Sequence, residues 1–219
     1  MTTNKTARKK SGYHHGDLRS ELIEATRRLL VTHDPSQVRI SEACRLAGVS
    51  TAAPYRHFES REDLLEAVAI DGMQRMGEQM QQVLGREARG SEASITALGK
   101  AYLQFARTEP NLFRMIFRRD DDEERAARLE AAGTETYGVL LNEIAVGLGM
   151  AVDAPQVLEV ALPLWAFVHG TASLMIDDHL KVAQAGDQID QIDQIIVRVT
   201  RQLLADTPMA SAPDNPSPR

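Results

Sequence analysis

Apolar residues recur at separations of three and four along most of this chain, the period of amphipathic helices rather than strands. Leu18, Leu22, Ala25, Leu29 and Leu30 trace one stripe, on a helix that begins at Asp17. His33-Asp34-Pro35 closes it, because the residue before a proline is pushed out of helical geometry. Ile40, Ala43, Cys44 and Ala47 form a shorter stripe, and Gly48 follows where a left-handed residue ends a helix. Val49 then plugs a corner and Ser50 N-caps a further helix, from about Thr51 to Phe58, with Phe58 as its core anchor. Two helices about a short glycine-containing turn make a helix-turn-helix. Pro54 falls in or just after the first turn, where proline costs least, so a tight or distorted start is expected.

The pattern then lengthens. Ser60, Glu62 and Asp63 cap a helix that runs past Arg61 to about Leu84, with Leu64, Leu65, Val68 and Ala69 inward. Further helices are predicted over Ala93–Arg107, Asn111–Phe117, Leu129–Met150, the very apolar Pro155–Leu180 and Ile189–Leu204. The expected fold class is all-α. A flexible basic arm (1–15) precedes a three-helix helix-turn-helix domain (16–62), and a linker helix runs to about 84. A helical domain (85–206) and a disordered tail rich in Pro and Ser (207–219) follow.

With 219 residues there is room for a substantial core. No apolar run approaches the roughly 18 residues of a membrane span, and no signal peptide is expected. A single cysteine suits a reducing cytoplasm, the expected location. The net charge of −6 argues against a polyanionic partner until its distribution is considered. Residues 1–61 carry 11 Lys and Arg against 6 Asp and Glu; residues 62–219 carry 14 against 25. The front attracts phosphates and the rear repels them.

The stretch GVSTAAPYRHFESREDLL, from Gly48 to Leu65, resembles the DNA-binding signature of the tetracycline-repressor-type (TetR/AcrR) family. Gly48-Val49-Ser50 and Tyr55-Arg56-His57-Phe58 match, while Arg61 stands where lysine is usual. YHHGDLRSELIEATRRLL, from Tyr13 to Leu30, is similar to the family's first helix and lead-in. Trp165, His169 and Gly170, with EPNLFRMIF upstream, resemble a branch whose C-terminal domain carries a Trp-His-Gly motif.

The resemblance implies a homodimeric DNA-binding transcriptional regulator, a repressor in the first instance, released from a near-palindromic duplex operator by a small hydrophobic effector. The residues expected at DNA are Arg39, Ser50, Thr51, Ala52, Ala53, Tyr55, Arg56, His57 and Arg61. Arg56 is read as a guanine contact or a phosphate contact; Tyr55, His57 and Arg61 are expected on phosphates. The effector pocket is expected among Tyr102, Phe105, Phe113, Phe117, Tyr137, Leu141, Trp165 and His169, residues that core packing alone would also explain. Ile192, Ile195, Ile196, Val199 and Leu203 form a stripe suited to a dimer through the last two helices.

Catalytic and metal chemistry are poorly represented. No phosphate-cradling glycine loop, zinc-spaced Cys/His set or Gly-x-Ser-x-Gly elbow occurs. His14 and His15 lack companions at ligand spacing, and the carboxylates of RRDDDEER (118–125) splay around a helix. No metal and no cofactor are expected. An activator or ligand-independent DNA-binding regulator is the alternative, with a helical enzyme or interaction module remote.

Overall fold

The computed structural model of the protein describes residues 18–118, 121–181 and 189–207. The basic arm, with His14 and His15, and nearly all of the C-terminal tail lie outside the described residues. Among the described residues the regular structure is entirely helical. Helix α1 spans Leu18–Leu30 and α2 spans Ile40–Ala47. Gly48 ends α2 in the left-handed region at φ 69°, where its N–H returns to Arg45 and Cys44 carbonyls.

The helix expected over Thr51–Phe58 does not form as an α-helix. Thr51 to Ala53 make a turn and Pro54–Arg56 a single 3-10 turn. Pro54 is the reason: it has no N–H to offer the Ser50 carbonyl, so the Ala53 N–H bonds that oxygen instead, at 3.0 Å. Nor does the Ser50 side chain cap this segment; Ala53 stands at the cap position without a side-chain bond. Pro54 and Phe58 are both buried and hold the segment against the head.

Helix α3 runs from Arg61 to Leu84, opened by a reciprocal capping box between Ser60 and Asp63. Its first turns bury Leu64 and Val68, and its second half buries Met73, Met76 and Met80. One helix thus belongs to two bodies, and a continuous core runs from Leu22 to Ile196. Helices α4 (Glu92–Thr108), α5 (Pro110–Ile116), α6 (Glu123–Leu148), α7 (Pro155–Ile176) and α8 (Ile189–Asp206) complete the bundle. α4 packs against α3, α7 and α8, while α6 packs against α3 and α7.

Three features depart from the sequence pattern. α6 begins well before Leu129, because the Asp122 side chain accepts from the Arg125 N–H and Glu123 and Glu124 sit at the positive helix end. The α8 stripe faces inward: Ile196 is fully buried, and Ile192, Val199 and Leu203 pack on the core. α7 is long and apolar enough to cross a membrane by length and composition, although it packs on α4, α6 and α8. Its interior Pro163 lies on the exposed side, where the freed carbonyl of the preceding turn can meet water.

Glu143 on α6 is fully buried, and its carboxylate accepts from the Gly90 N–H and Arg89 Nε, each at 2.5 Å. Burial pushes its pKa up, but the bonds from Gly90, Ser94 and Arg89 outweigh burial and leave it below the ordinary value. A depressed folded pKa stabilises above the ordinary carboxylate range, and this stability is lost as pH falls through the folded value. Urea unfolding midpoints measured from about pH 7 to about pH 3 should therefore fall more steeply for the wild type than for Glu143→Gln. Equal slopes would remove Glu143 from the acid response.

Candidate functional site

On the head, the segment after Gly48 turns its side chains outward. Ser50, Thr51, Ala52, Tyr55, Arg56 and His57 are exposed, with Tyr55 at 62%, and Ala53 is half-buried. Arg39 is exposed in extended geometry at the start of α2, with no side-chain cap bond. Small residues followed by hydrogen-bonding tips therefore stand on one short, buried-anchor segment. Arg19 covers the rear of the anchor, its guanidinium 5.5 Å from the Phe58 ring centroid.

Arg61 is placed differently from its expected role at phosphates. Its Nε donates to the Val38 carbonyl at 2.8 Å, its second guanidinium nitrogen donates to the Pro35 carbonyl, and its third pairs with Glu62. These bonds turn the side chain toward the loop before α2, so it fixes α3 against that loop.

A cavity of about 600 Å³ lies in the bundle, enclosed by α3, α4, α6 and α7 with the end of α5. Tyr102, Phe117, Tyr137, Leu141 and Trp165 line it as expected. Phe105, Phe113 and His169 do not. Phe105 and Phe113 are fully buried core, and His169 stands behind the wall, with its ring 5.6 Å from Phe113 and 4.6 Å from Phe117. Sequence reasoning missed Met73, Met76 and Met80, which form the α3 wall. Their three- and four-residue spacing is the signal, since it puts all three on one face of α3.

Tyr102 and His169 meet at 2.8 Å between hydroxyl and Nδ1. Burial pushes the tyrosine pKa well up, partly offset by a hydrogen bond from Trp165, and burial pushes the histidine pKa down. Both groups are uncharged at neutral pH, and the imidazole tautomer sets which of the two donates.

The corner between α4 and α5 joins this cavity to the head. Glu109, 8% exposed, pairs with Arg75 of α3 at 2.7 Å and Arg27 of α1 at 3.4 Å. Two residues on, the Asn111 amide donates to the Leu30 and His33 carbonyls at 3.0 and 3.1 Å, capping the end of α1. The same short helix ends beside Phe117 on the cavity wall.

Residues 22–68 match the sequence profile of bacterial regulatory proteins of the tetR family, and residues 95–203 match that of the tetracyclin repressor-like C-terminal domain. The chain belongs to the tetR family. It is a DNA-binding transcription regulator and not an enzyme. No curated protein matches in sequence.

The fold recurs in solved structures of low identity. A protein of unknown function from Rhodococcus sp. RHA1 is 23% identical, with 90% of this chain and 99% of that one covered at a TM-score of 0.70. A tetR-family transcriptional regulator from Streptomyces coelicolor is 18% identical, with 85% and 81% covered and a TM-score of 0.65. The regulator FadR from Bacillus subtilis, in complex with stearoyl-CoA, is 15% identical, with 85% and 95% covered and a TM-score of 0.58. At these identities the likeness speaks for the fold alone. The tetR-family match includes the outward segment of the head, and the C-terminal match includes α4 to α7 around the cavity. Among the described residues, no group of three or more His, Cys, Asp or Glu is placed to hold a metal ion.

Proposed function

We propose that this tetR-family protein is a homodimeric repressor whose grip on a near-palindromic operator is released by a small molecule in the bundle cavity. The observation that carries the reading is the α4–α5 corner. Glu109 and Asn111 hold α1 of the head, and a helical turn and a half later Phe117 forms part of the cavity wall. A molecule that fits one placement of α5 better than another shifts the placement of the head by that difference in affinity.

Dimer formation is supported by the outer side of α7. Pro163, Ala166 and Leu174 are exposed there, and a Cβ added at Gly170 would meet nothing within 4 Å. Such a row of small and apolar residues lets a second helix approach closely, and α8 beside it completes the pair of helices proposed to meet a second copy. Two heads related by a two-fold axis read half-sites as an inverted repeat. Arg39, Ser50, Thr51, Ala52, Ala53, Tyr55, Arg56 and His57 are the proposed DNA residues; Arg61 acts from behind them. Tyr102, Phe117, Tyr137, Leu141 and Trp165, with the three methionines of α3, are the proposed effector wall.

Selection of random duplex DNA by the purified protein at physiological salt tests the reading. An enriched inverted repeat is the expected result; a folded, ligand-free dimer that enriches nothing would overturn it. On the selected operator, Arg56→Ala should cost about 1–3 kcal/mol and relax preference at one base pair. An equal loss on every sequence, with a shallower salt dependence, would instead assign Arg56 to a phosphate.

A further inference from the structure

The ends of α1 and α7 are tied together through two residues of α5. Asn111 and Arg114 stand three residues apart on that helix, so their side chains meet on one face. Arg114 Nη2 donates to the carbonyl of Ile176, the last residue of α7, at 2.5 Å. Nη2 and Nε also converge on one carboxylate oxygen of Asp177, at 2.7 and 2.9 Å. The remaining nitrogen, Nη1, donates to the Asn111 side-chain oxygen at 3.0 Å. The far side of that amide holds the Leu30 and His33 carbonyls. Side-chain bonds thus run without a gap from the end of α7 to the end of α1.

The chemistry of this path fixes how each member points. A guanidinium carries only donors and keeps its charge, so the amide beside it turns its oxygen toward Arg114. The amide NH2 is then aimed at α1, where the waiting groups are carbonyls that the helix leaves unpaired. At the other end the positive fork meets the negative pole of α7 and the Asp177 carboxylate. Asp34, in the loop after α1, is held below the usual carboxylate range first by bonds from Ser36, and in smaller part by the charges of Arg118 and Arg114. α1 packs on α2 and α3, so its end sets the placement of the head. α7 supplies Leu158, Leu162, Leu164, Trp165 and Val168 to the cavity wall. Glu109 joins α1 to α3, whereas Arg114 joins it to α7.

We propose that Arg114 is a positioning residue for DNA recognition: it orients Asn111 and carries the placement of the α7 end to the α1 end, a second tie between bundle and head. It acts through Asn111 and not on DNA. The inference rests on the head being the DNA reader and is independent of what occupies the cavity.

Hydrogen exchange on the full-length protein reads the tie, as wild type, Asp177→Ala, Arg114→Met and the two combined. Asp177 is exposed at the end of α7, and its carboxylate is bonded to Arg114. Its loss should nonetheless speed amide exchange in the last turn of α1 and the loop to Val38 about threefold or more, with α4 and α6 unchanged. Arg114→Met should do the same. The combination should be no faster than Arg114→Met alone, because the path is already cut. Two unconnected structural roles would instead multiply. An α1 end indifferent to Asp177→Ala, multiplying effects, or a rise spread evenly over the bundle would each overturn the proposal. On duplex DNA selected by the protein, Arg114→Met should weaken binding about fivefold, as the competent head placement becomes a smaller fraction of the whole. Random duplex of equal length, held through phosphates, should lose less than about twofold. Equal losses on both would overturn the positioning role. The exchange measurements need neither operator nor effector, so they decide the tie even where the repressor reading fails.

Discussion

Gly147→Ala is expected to destabilise the protein by about 3 kcal/mol or more, among the largest effects a single methyl group can have. Gly147, in the last turns of α6, crosses Gly90 backbone to backbone. A Cβ at Gly147 would overlap the Gly90 carbonyl oxygen and lie 3.2 Å from its carbon. Neither atom can swing aside as a side chain would. Gly90 is itself left-handed at φ 72°, and its N–H is tied to Glu143 one helical turn before Gly147. The connection from α3 to α4 is thus clasped at two successive turns of α6. Gly138 on the same helix is the control, since a Cβ there meets nothing within 4 Å. Gly138→Ala should gain roughly 0.5–1 kcal/mol from helix propensity. Urea unfolding followed by circular dichroism compares them, and two variants of like stability would show that the crossing is looser than described.

Glu109→Ala should cost up to about 3 kcal/mol, the lower end of what breaking a buried ion pair costs, because Arg27 and Arg75 keep Glu24 and Asp71 as partners. The carboxylate is 10% exposed and has two guanidinium partners, both themselves only 21% and 28% exposed. Its removal leaves Arg27 and Arg75 across the corner from each other, each with only the carboxylate of its own helix, Glu24 and Asp71. The effect has a second part that separates it from ordinary destabilisation. Because Arg27 belongs to α1 and Arg75 to α3, the head should lose protection in amide hydrogen exchange earlier than α4 and α6 do. For a chain of this size about 3 kcal/mol corresponds to roughly 6–12 °C in melting temperature. A shift below about 2 °C, with uniform exchange, would show that the pair is no more than a surface ornament.

Much of the fold was legible because the apolar period is a local property. The capping residues Ser60 and Asp63 and the final Leu84 fixed both ends of α3, and Gly48 fixed the end of α2. Where the pattern misled, a physical competitor can be named. Pro54 removes the donor that an α-helix over Thr51–Phe58 requires, so the outward segment is a turn and a 3-10 turn with the same residues exposed. Asp122 caps α6 seven residues before its apolar stripe begins at Leu129. Cavity residues were harder. A helix such as α7, apolar on nearly every side, does not tell which residue meets a void and which meets another helix. Phe105, Phe113 and His169 went inward past the cavity, while the α3 methionines, read as part of a linker, turned out to wall it. The inward stripe of α8 shows the same ambiguity, since an apolar row answers equally to its own bundle or to a second copy.

The chain carries one cysteine and one tryptophan, and they fall in different bodies. Cys44 is buried on α2 of the head, where burial pushes its thiol pKa up; Trp165 is in the bundle. A thiol reagent reaches Cys44 only when the head opens, so the rate of its modification clocks that opening and nothing else. Indole emission watches the other end of the molecule. The unmodified protein therefore carries its own two-channel recorder, in which the delay between the channels measures how firmly Glu109 and Asn111 make the two bodies melt as one.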